Sequence, residues 1–226
     1  MFFPSPRFGE ITPDRQVLRW WAPAGTYPGS TAGGCHRPGP CDHALCRAST
    51  GVGDSTEQFE ETAMSDTEIT VVPDRQDIVL SRVFEAPRDI VFRACTDPAL
   101  VPRWWGPGHY NTTVERDDVT AGGIWRYTSR DENGVEYRFH GVYHEITPPH
   151  RIVATFEFEG MPGHVSLETV TLWENGADRT RYVGTSVFQS VADRDGMVQA
   201  GMEEGAREGM TRLAEVIRVL RERSGQ

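Results

Sequence analysis

The 226-residue chain contains no lysine, so all 23 of its basic residues are arginine. This absence excludes every site that needs a lysine side chain, including the Walker A phosphate loop, the pyridoxal Schiff base and a lysine general base. The 33 acidic residues outnumber these 23 arginines, so the net charge is −10. A nucleic-acid binder needs an excess of cations to displace counterions from phosphates. The sequence therefore predicts no nucleic-acid partner.

Long apolar runs are also missing, and none approaches the roughly 18 residues that a membrane-spanning helix requires. The first residues lack the apolar stretch of a secretion signal, because Pro4, Pro6, Arg7 and Glu10 interrupt it. The four cysteines are scattered, which is typical of a reducing compartment. We expect a soluble, cytoplasmic protein with no membrane insertion.

Residues 1–63 contain seven prolines and eight glycines, about a quarter of the segment. This composition predicts a disordered N-terminal extension. Regular patterns begin after Met64, which we expect to be the start of the functional protein, so that residues 64–226 form the domain. The extension is not expected to hold the chemistry.

The extension does bring several potential zinc ligands close together. Tetrahedral zinc sites use pairs of ligands separated by two to four residues, whereas five residues separate Cys35 from Cys41. We predict no metal site, and the sequence implies no cofactor. The residues concerned are Cys35, His36, Cys41, His43 and Cys46.

The core segment has the patterns of an α+β protein built on an antiparallel meander. A strand is predicted at 76–85, followed by a short helix after Pro87 and a second one from Pro98 to Trp105. One helix of about 28 residues is predicted from Arg194 to Arg221, with a single buried stripe. Between these helices, short turns separate strand-like stretches near 110–116, 123–130, 135–146, 151–159, 165–174 and 180–188.

Glycine recurs every fourth residue in this last helix, at Gly201, Gly205 and Gly209. Each glycine costs a helix about 1 kcal/mol relative to alanine, so the spacing needs a structural reason. We predict that these glycines, with flexible methionines beside them, leave space between the helix and the sheet.

The aromatic residues are candidates for the wall of such a space. Strand alternation places Trp125 with Tyr127 on one face, and likewise Phe156 with Phe158. The adjacent Trp104 and Trp105 have three interpretations: structural plugs, a cavity wall or an exposed binding patch. The predicted cavity residues are Trp104, Trp105, Trp125, Tyr127, Phe156, Phe158, Tyr182, Met202, Ala206 and Met210.

No catalytic residue is identified from the sequence. The pair His144-Glu145 with His150 does not match a zinc protease, because the histidine spacing is six and two prolines break any helix. Several other acids and histidines were considered as proton-transfer groups and are predicted to lie at the surface. They are Asp97, Glu136, Glu168, His109 and His140.

Four stretches resemble a known family: FEAPRDIVFRACTDPALVPRWWGP (84–107), VERDDVTAGGIWRY (114–127), GVYHEITPPHRIVATFEFE (141–159) and GMEEGAREGMTRLAEVI (201–217). Together they are similar to the heat-shock-protein ATPase activator homologue branch of the SRPBCC, or START-like, superfamily. The resemblance covers roughly residues 76–221. It implies a helix-grip fold, in which a curved antiparallel sheet wraps a long C-terminal helix and two short helices follow the first strand.

The resemblance also implies an apolar cavity between sheet and helix, which members use to bind lipids, hormones or polyketides and, in some branches, for catalysis. The family often has tryptophan at the positions of Cys95 and Ala206, which implies a cavity here that is larger or differently shaped. Three functions follow as expectations: binding of a small apolar or amphipathic molecule, a metal-free cyclase or hydrolase in the same cavity, and a co-chaperone-like interaction with a protein partner.

Overall fold

The computed structural model of the protein describes residues 67–176 and 178–224. The predicted extension 1–63, the start at Met64 and the cluster between Cys35 and Cys46 all lie outside the described residues. No helix in the described ranges is both long enough and apolar enough to cross a membrane.

Within residues 67–176 and 178–224, eight strands form one antiparallel sheet with the order β1-β2-β8-β7-β6-β5-β4-β3. From β3 to β8, each strand pairs with its sequence neighbour, which confirms the predicted meander. The sheet continues beyond β8 with β2, which pairs with β8, and then with β1 at the edge. The strands are β1 Glu68–Val71, β2 Asp77–Phe84, β3 Asn111–Asp117, β4 Ile124–Arg130, β5 Glu136–Thr147, β6 Arg151–Phe158, β7 Val165–Glu174 and β8 Thr180–Val187.

In the described part of the chain, three α-helices accompany the sheet: α1 Arg88–Thr96, α2 Val191–Gln199 and α3 Met202–Ser224. The predicted helix from Pro98 to Trp105 is shorter than expected, since only Val101–Arg103 form a single 3-10 turn. The short β1 was not predicted, so the two short helical segments follow the second strand of the structure rather than the first.

The prediction of one continuous helix from Arg194 to Arg221 is wrong in its first third. The Ser190 side chain accepts a hydrogen bond from the Asp193 backbone N–H, which starts α2 before the predicted position. Gly201 then adopts a φ of 82°, a left-handed conformation that ends α2 before α3 begins at Met202. Gly201 is therefore a helix-ending residue, whereas Gly205 and Gly209 belong to α3.

The buried stripe of α3 packs on the concave side of the sheet. Leu213, Val216 and Ile217 are at most 2% exposed and join Phe84 and Leu172 from the strands in one apolar cluster. An aromatic cluster occupies β4 and β5, and a third, smaller cluster surrounds Met202. This curved sheet around a C-terminal helix is the helix-grip fold that the sequence indicated.

Candidate functional site

A cavity of about 270 Å³ lies between the inner face of the sheet and the start of α3. Its walls include members of all three apolar clusters, among them Val101, Tyr182 and Phe188. Most of the lining is apolar. The cavity therefore lies where the three apolar clusters meet and is not filled by their side chains.

Strand register explains why the sheet side of the cavity is open. One row of inward-facing residues runs across five strands, and its members are Ile78, Ser186, Glu168, Ala154 and Tyr143. A second row also lines the cavity and consists of Leu80, Gly184, Val170 and Ile152. Serine, alanine and glycine at the centre of these rows leave the volume that larger residues would occupy in a close-packed core.

The helix contributes small residues to the opposite wall. Gly205, Ala206 and Gly209 all line the cavity, with Met202 and Met210 at their sides. An added Cβ at Gly209 would lie 3.5 Å from the Trp104 carbonyl oxygen, an ordinary contact distance. The first half of α3 therefore leaves room beside the sheet, as its small residues predicted.

Aromatic rings form one end of the cavity. The ring of Trp105 lies 5.8 Å from that of Trp125 and 5.1 Å from that of Tyr127. The Trp125 ring crosses Gly141 and donates from Nε1 to the Thr155 carbonyl oxygen at 3.2 Å. The Trp125 indole is therefore positioned by a hydrogen bond and by close packing against the Gly141 backbone.

The two adjacent tryptophans are both half-buried and both line the cavity. Trp104 donates from Nε1 to the Ala94 carbonyl oxygen at 2.9 Å, which ties the residues after the 3-10 turn to α1. Cys95 of α1 also lines the cavity, and burial raises the pKa of its thiol to about 12.

Nine of the ten predicted cavity residues surround this space: Trp104, Trp105, Trp125, Tyr127, Phe156, Tyr182, Met202, Ala206 and Met210. Phe158 does not. Phe158 is directly opposite Phe139 on the neighbouring strand β5, and the two rings stack at a centroid distance of 5.1 Å. The Phe158 ring also packs against Gly160. Its position at the last residue of β6 places it beyond the aromatic end wall.

Glu168, which was predicted to lie at the surface, faces the cavity instead. Ser166 Oγ donates to Glu168 Oε1 at 2.6 Å, and Ser186 Oγ donates to Oε2 at 2.5 Å. Burial raises the pKa of this carboxyl, and the two serine hydrogen bonds partly offset the rise. The site therefore contains an ionisable group that the sequence interpretation placed outside.

The alternation of β7 shows which residues share the face of Glu168 but does not decide which face is buried. Ser166, Val170 and Leu172 share its face of β7, whereas Leu167 and Trp173 point outwards and are exposed. An exposed Trp and Leu are unexpected on the polar side of a strand, so the assignment of faces from hydrophobicity alone fails here.

A second acid, Asp117, accepts hydrogen bonds from two tyrosines of the cavity wall. Tyr143 donates from its hydroxyl to Asp117 Oδ1 at 2.7 Å, and Tyr127 donates to Oδ2 at 3.1 Å. Burial raises the pKa of Asp117, while both tyrosine hydrogen bonds lower it. Burial also raises the pKa of each tyrosine, with a further contribution from Asp117, so both rings present neutral hydroxyls.

The other acids and histidines considered from sequence take no part in the cavity wall. Glu136 pairs with Arg130 and Arg138. His109 is exposed. Asp97 caps a turn by accepting from the Ala99 backbone N–H at 3.0 Å, and His140 lies 3.4 Å from Glu157.

Within the described ranges, no group of three or more His, Cys, Asp or Glu side chains is arranged to hold a metal ion.

Solved structures with the same fold are known from several bacteria. A solution structure from Arthrobacter aurescens matches with a TM-score of 0.63 and 26% identity, covering 67% of this chain and 91% of that one. A crystal structure from Rhodobacter sphaeroides gives a TM-score of 0.63 at 20% identity, with 68% and 99% covered. A crystal structure from Mycobacterium smegmatis matches with a TM-score of 0.60 and 21% identity, covering 66% of this chain and 95% of that one.

A comparison with curated proteins gives no match. The family model described as "Activator of Hsp90 ATPase homolog 1-like protein" matches residues 85–218, which is more than half of the chain. The matched range begins at the end of β2 and extends into the last turns of α3, so it includes most of the cavity wall. The chain therefore belongs to the family of Activator of Hsp90 ATPase homolog 1-like proteins.

Proposed function

We propose that the protein binds a small, mainly apolar molecule in the cavity between the sheet and α3. The family and fold suggest a ligand-binding or co-chaperone-like domain. The observation that favours ligand binding is the cavity itself, because its centre is lined by serine, alanine and glycine where a close-packed core would place larger side chains.

The dimensions of the space limit the ligand. A volume of about 270 Å³ is slightly below the roughly 300–1,000 Å³ typical of sites for drug-sized ligands. The aromatic end wall of Trp105, Trp125 and Tyr127 suits a ring or a short hydrocarbon chain. Polar groups line the space mainly on β7 and β8, so a ligand with one polar end is favoured.

Filling the cavity tests this proposal. In Ala206→Phe, a ring on α3 would occupy the space from the helix side, whereas Ala192→Phe places the same ring on the exposed surface of α2. Native mass spectrometry of freshly purified wild type should show a co-purifying mass. We expect that mass to be absent from Ala206→Phe and retained in Ala192→Phe.

The proposal is contradicted if wild type is empty in repeated preparations and no compound in a panel of small apolar molecules shifts its melting temperature. Circular dichroism of both variants serves as the control for folding.

A second candidate function is metal-free catalysis in the same cavity, and Glu168 is the observation that favours it. A carboxyl that faces an apolar cavity and has a raised pKa is a candidate group for proton transfer. Tyr182 lies close enough for the charge of Glu168 to contribute to the raised pKa of its hydroxyl, after burial and Cys95. The two groups would act on one bound molecule from adjacent strands.

Mass spectrometry distinguishes this candidate from simple binding. If Glu168 transfers protons in a reaction, wild type should retain a product and Glu168→Gln the unreacted molecule, with different masses. Identical masses from the two proteins would exclude a role for Glu168 in turnover.

The co-chaperone-like interpretation requires an apolar surface outside the cavity. Trp173 and Leu167 are 59% and 41% exposed on the outer face of β7, with Thr169 and Thr171 between them. A pull-down with wild type and Trp173→Ser would test this surface. Loss of a captured partner in the variant would favour an interaction role, and equal recovery would count against it.

A further inference from the structure

The cavity has one carboxylate and no cation in its wall. Glu168 is the only acidic side chain among the lining residues of the described chain, and no arginine or histidine lines the space. Burying a carboxylate without a cationic partner is costly, so such a group is normally paired with a cation or kept protonated by a raised pKa. The carboxylate therefore needs an explanation beyond packing.

The hydrogen bonds of Glu168 stabilise its ionised form. In the described part of the chain, its carboxylate accepts hydrogen bonds from Ser166 and Ser186 alone, one at each oxygen. A carboxylate has about four acceptor positions, so each oxygen retains a free one. Because Glu168 faces the cavity, these positions are available to a bound molecule.

The strand positions of the two serines fix the direction of the carboxylate. Ser186 is directly opposite Glu168 on β8, and Ser166 lies two residues away on the same face of β7. Neither serine carries a charge that would neutralise the carboxylate. The two serines therefore position the Glu168 carboxylate without neutralising it, and a bound ligand would have to supply the positive charge.

Among the described residues, the remainder of the wall carries no cation that would attract a negatively charged ligand. Trp104, Trp105 and Trp125 line the cavity and offer apolar surface to the hydrocarbon part of a ligand. The Tyr182 ring lies over Gly184, next to the row that contains Glu168. A ligand carboxylate would be repelled by Glu168 and would meet no cation in this wall.

We infer that the ligand is a small apolar amine, whose protonated nitrogen donates to the free acceptor positions of Glu168 while its hydrocarbon part lies against the tryptophans. This inference rests on the proposed function, since it names the ligand class of the same cavity. A neutral alcohol could donate one hydrogen bond but would leave the buried carboxylate without a countercharge, so the amine binds more tightly.

Binding should depend on pH through Glu168. The other titratable groups that line the cavity are Cys95 from α1, Tyr127 from β4, Tyr143 from β5 and Tyr182 from β8. Burial raises the pKa of each of them, so all four are neutral at neutral pH. Affinity for an amine should fall as the pH decreases through the raised pKa of Glu168, because the protonated acid no longer attracts the cation.

Three probes of one shape test the inference: 4-phenylbutylamine, 4-phenylbutanol and 4-phenylbutyrate. Their affinities for the full chain are measured by titration of tryptophan fluorescence at neutral pH, for wild type and Glu168→Gln. Glu132→Gln removes the same charge from an exposed turn and is the matched control. We expect wild type and Glu132→Gln to bind the amine about ten- to hundredfold more tightly than the alcohol.

In Glu168→Gln this preference should disappear while the alcohol still binds. Equal affinities of wild type for amine and alcohol, tighter binding of the butyrate, or an amine preference that survives in Glu168→Gln would overturn the inference and leave cavity binding intact. Failure of all three probes to bind wild type would instead count against the proposed function itself.

Discussion

Glu168 opposes folding in the empty protein, because its charge is transferred from water to a mainly apolar cavity. Its pKa is raised in the folded state, so between the unfolded and folded pKa values the native protein binds more protons than the unfolded chain. Stability therefore decreases as pH rises through that window, and the full cost remains above it.

From this sign we predict that Glu168→Gln is more stable than wild type at neutral pH, because glutamine cannot ionise. The advantage should shrink as pH falls through the window and vanish below the ordinary pKa range of glutamate. Urea denaturation at several pH values measures it. A variant that is less stable than wild type at neutral pH would show that the serine hydrogen bonds outweigh the cost of burial.

Gly141 is required by the indole that crosses it. A Cβ at this position would lie 1.8 Å from the Thr155 carbonyl oxygen and 2.5 Å from Trp125 Nε1, so both the strand and the ring would have to move. We predict that Gly141→Ala destabilises the protein by about 3 kcal/mol, the upper range of overpacking costs, and changes the near-UV circular dichroism of the tryptophans.

Gly196→Ala is the control for this prediction, since an added Cβ there meets no atom within 4 Å. If the two alanine variants unfold at the same urea concentration, the contact described for Trp125 does not constrain the strand.

The sequence identified apolar cavity residues better than polar ones. Ala206 and Met210 follow from helical period, and Trp125 and Tyr127 from strand alternation, because burial of large apolar side chains is what these patterns report. Glu168 was missed since a carboxylate on an inward face breaks the pattern. Phe158 fits the pattern but lies beyond the end wall, a distinction that depends on sheet curvature rather than on alternation.

At the level of secondary structure, Gly201, which precedes α3, and Gly209, which lies inside it, have opposite roles. Gly201 has a φ of 82°, which costs an L-residue about 1–2 kcal/mol. Gly209 is inside α3, where a Cβ would make an ordinary contact with the Trp104 carbonyl oxygen at 3.5 Å. We predict that Gly201→Ala destabilises the protein by about 1–2 kcal/mol, whereas Gly209→Ala stabilises it by up to about 1 kcal/mol.

Urea denaturation of both variants, with wild type alongside, tests this pair. A loss of stability in Gly209→Ala would mean that the close approach of α3 to Trp104 leaves no room for a methyl group.

The boundary between α2 and α3 could not be read from helical period, because the stripe of small and apolar residues continues through Gly201. A glycine inside a periodic pattern is compatible with both a helix interior and a helix end. Strand β1 was missed for a different reason. It has only four residues, and its place depends on pairing with β2 and on the hydrogen bond from Arg82 to the Thr67 hydroxyl at 3.1 Å.

At the scale of the whole molecule, an occupied cavity should stabilise the fold, because the ligand binds only where the sheet and α3 come together. At one hundred times its dissociation constant, a ligand adds about 2.7 kcal/mol, which raises the melting temperature of a domain of this size by roughly 5–10 °C. We predict such a shift for wild type with 4-phenylbutylamine and its absence from Ala206→Phe. Equal shifts in both proteins would place the binding site outside the cavity.

Chain connectivity fixes the order in which this site can be assembled. The strands from β3 to β8 pair with immediate neighbours, but β2 must wait for β8, which follows it by about a hundred residues. The helix that completes the wall, α3, comes later still. During synthesis from the N-terminus, the inner face of the sheet therefore stays uncovered, and the cavity lacks its second wall, until α3 has emerged.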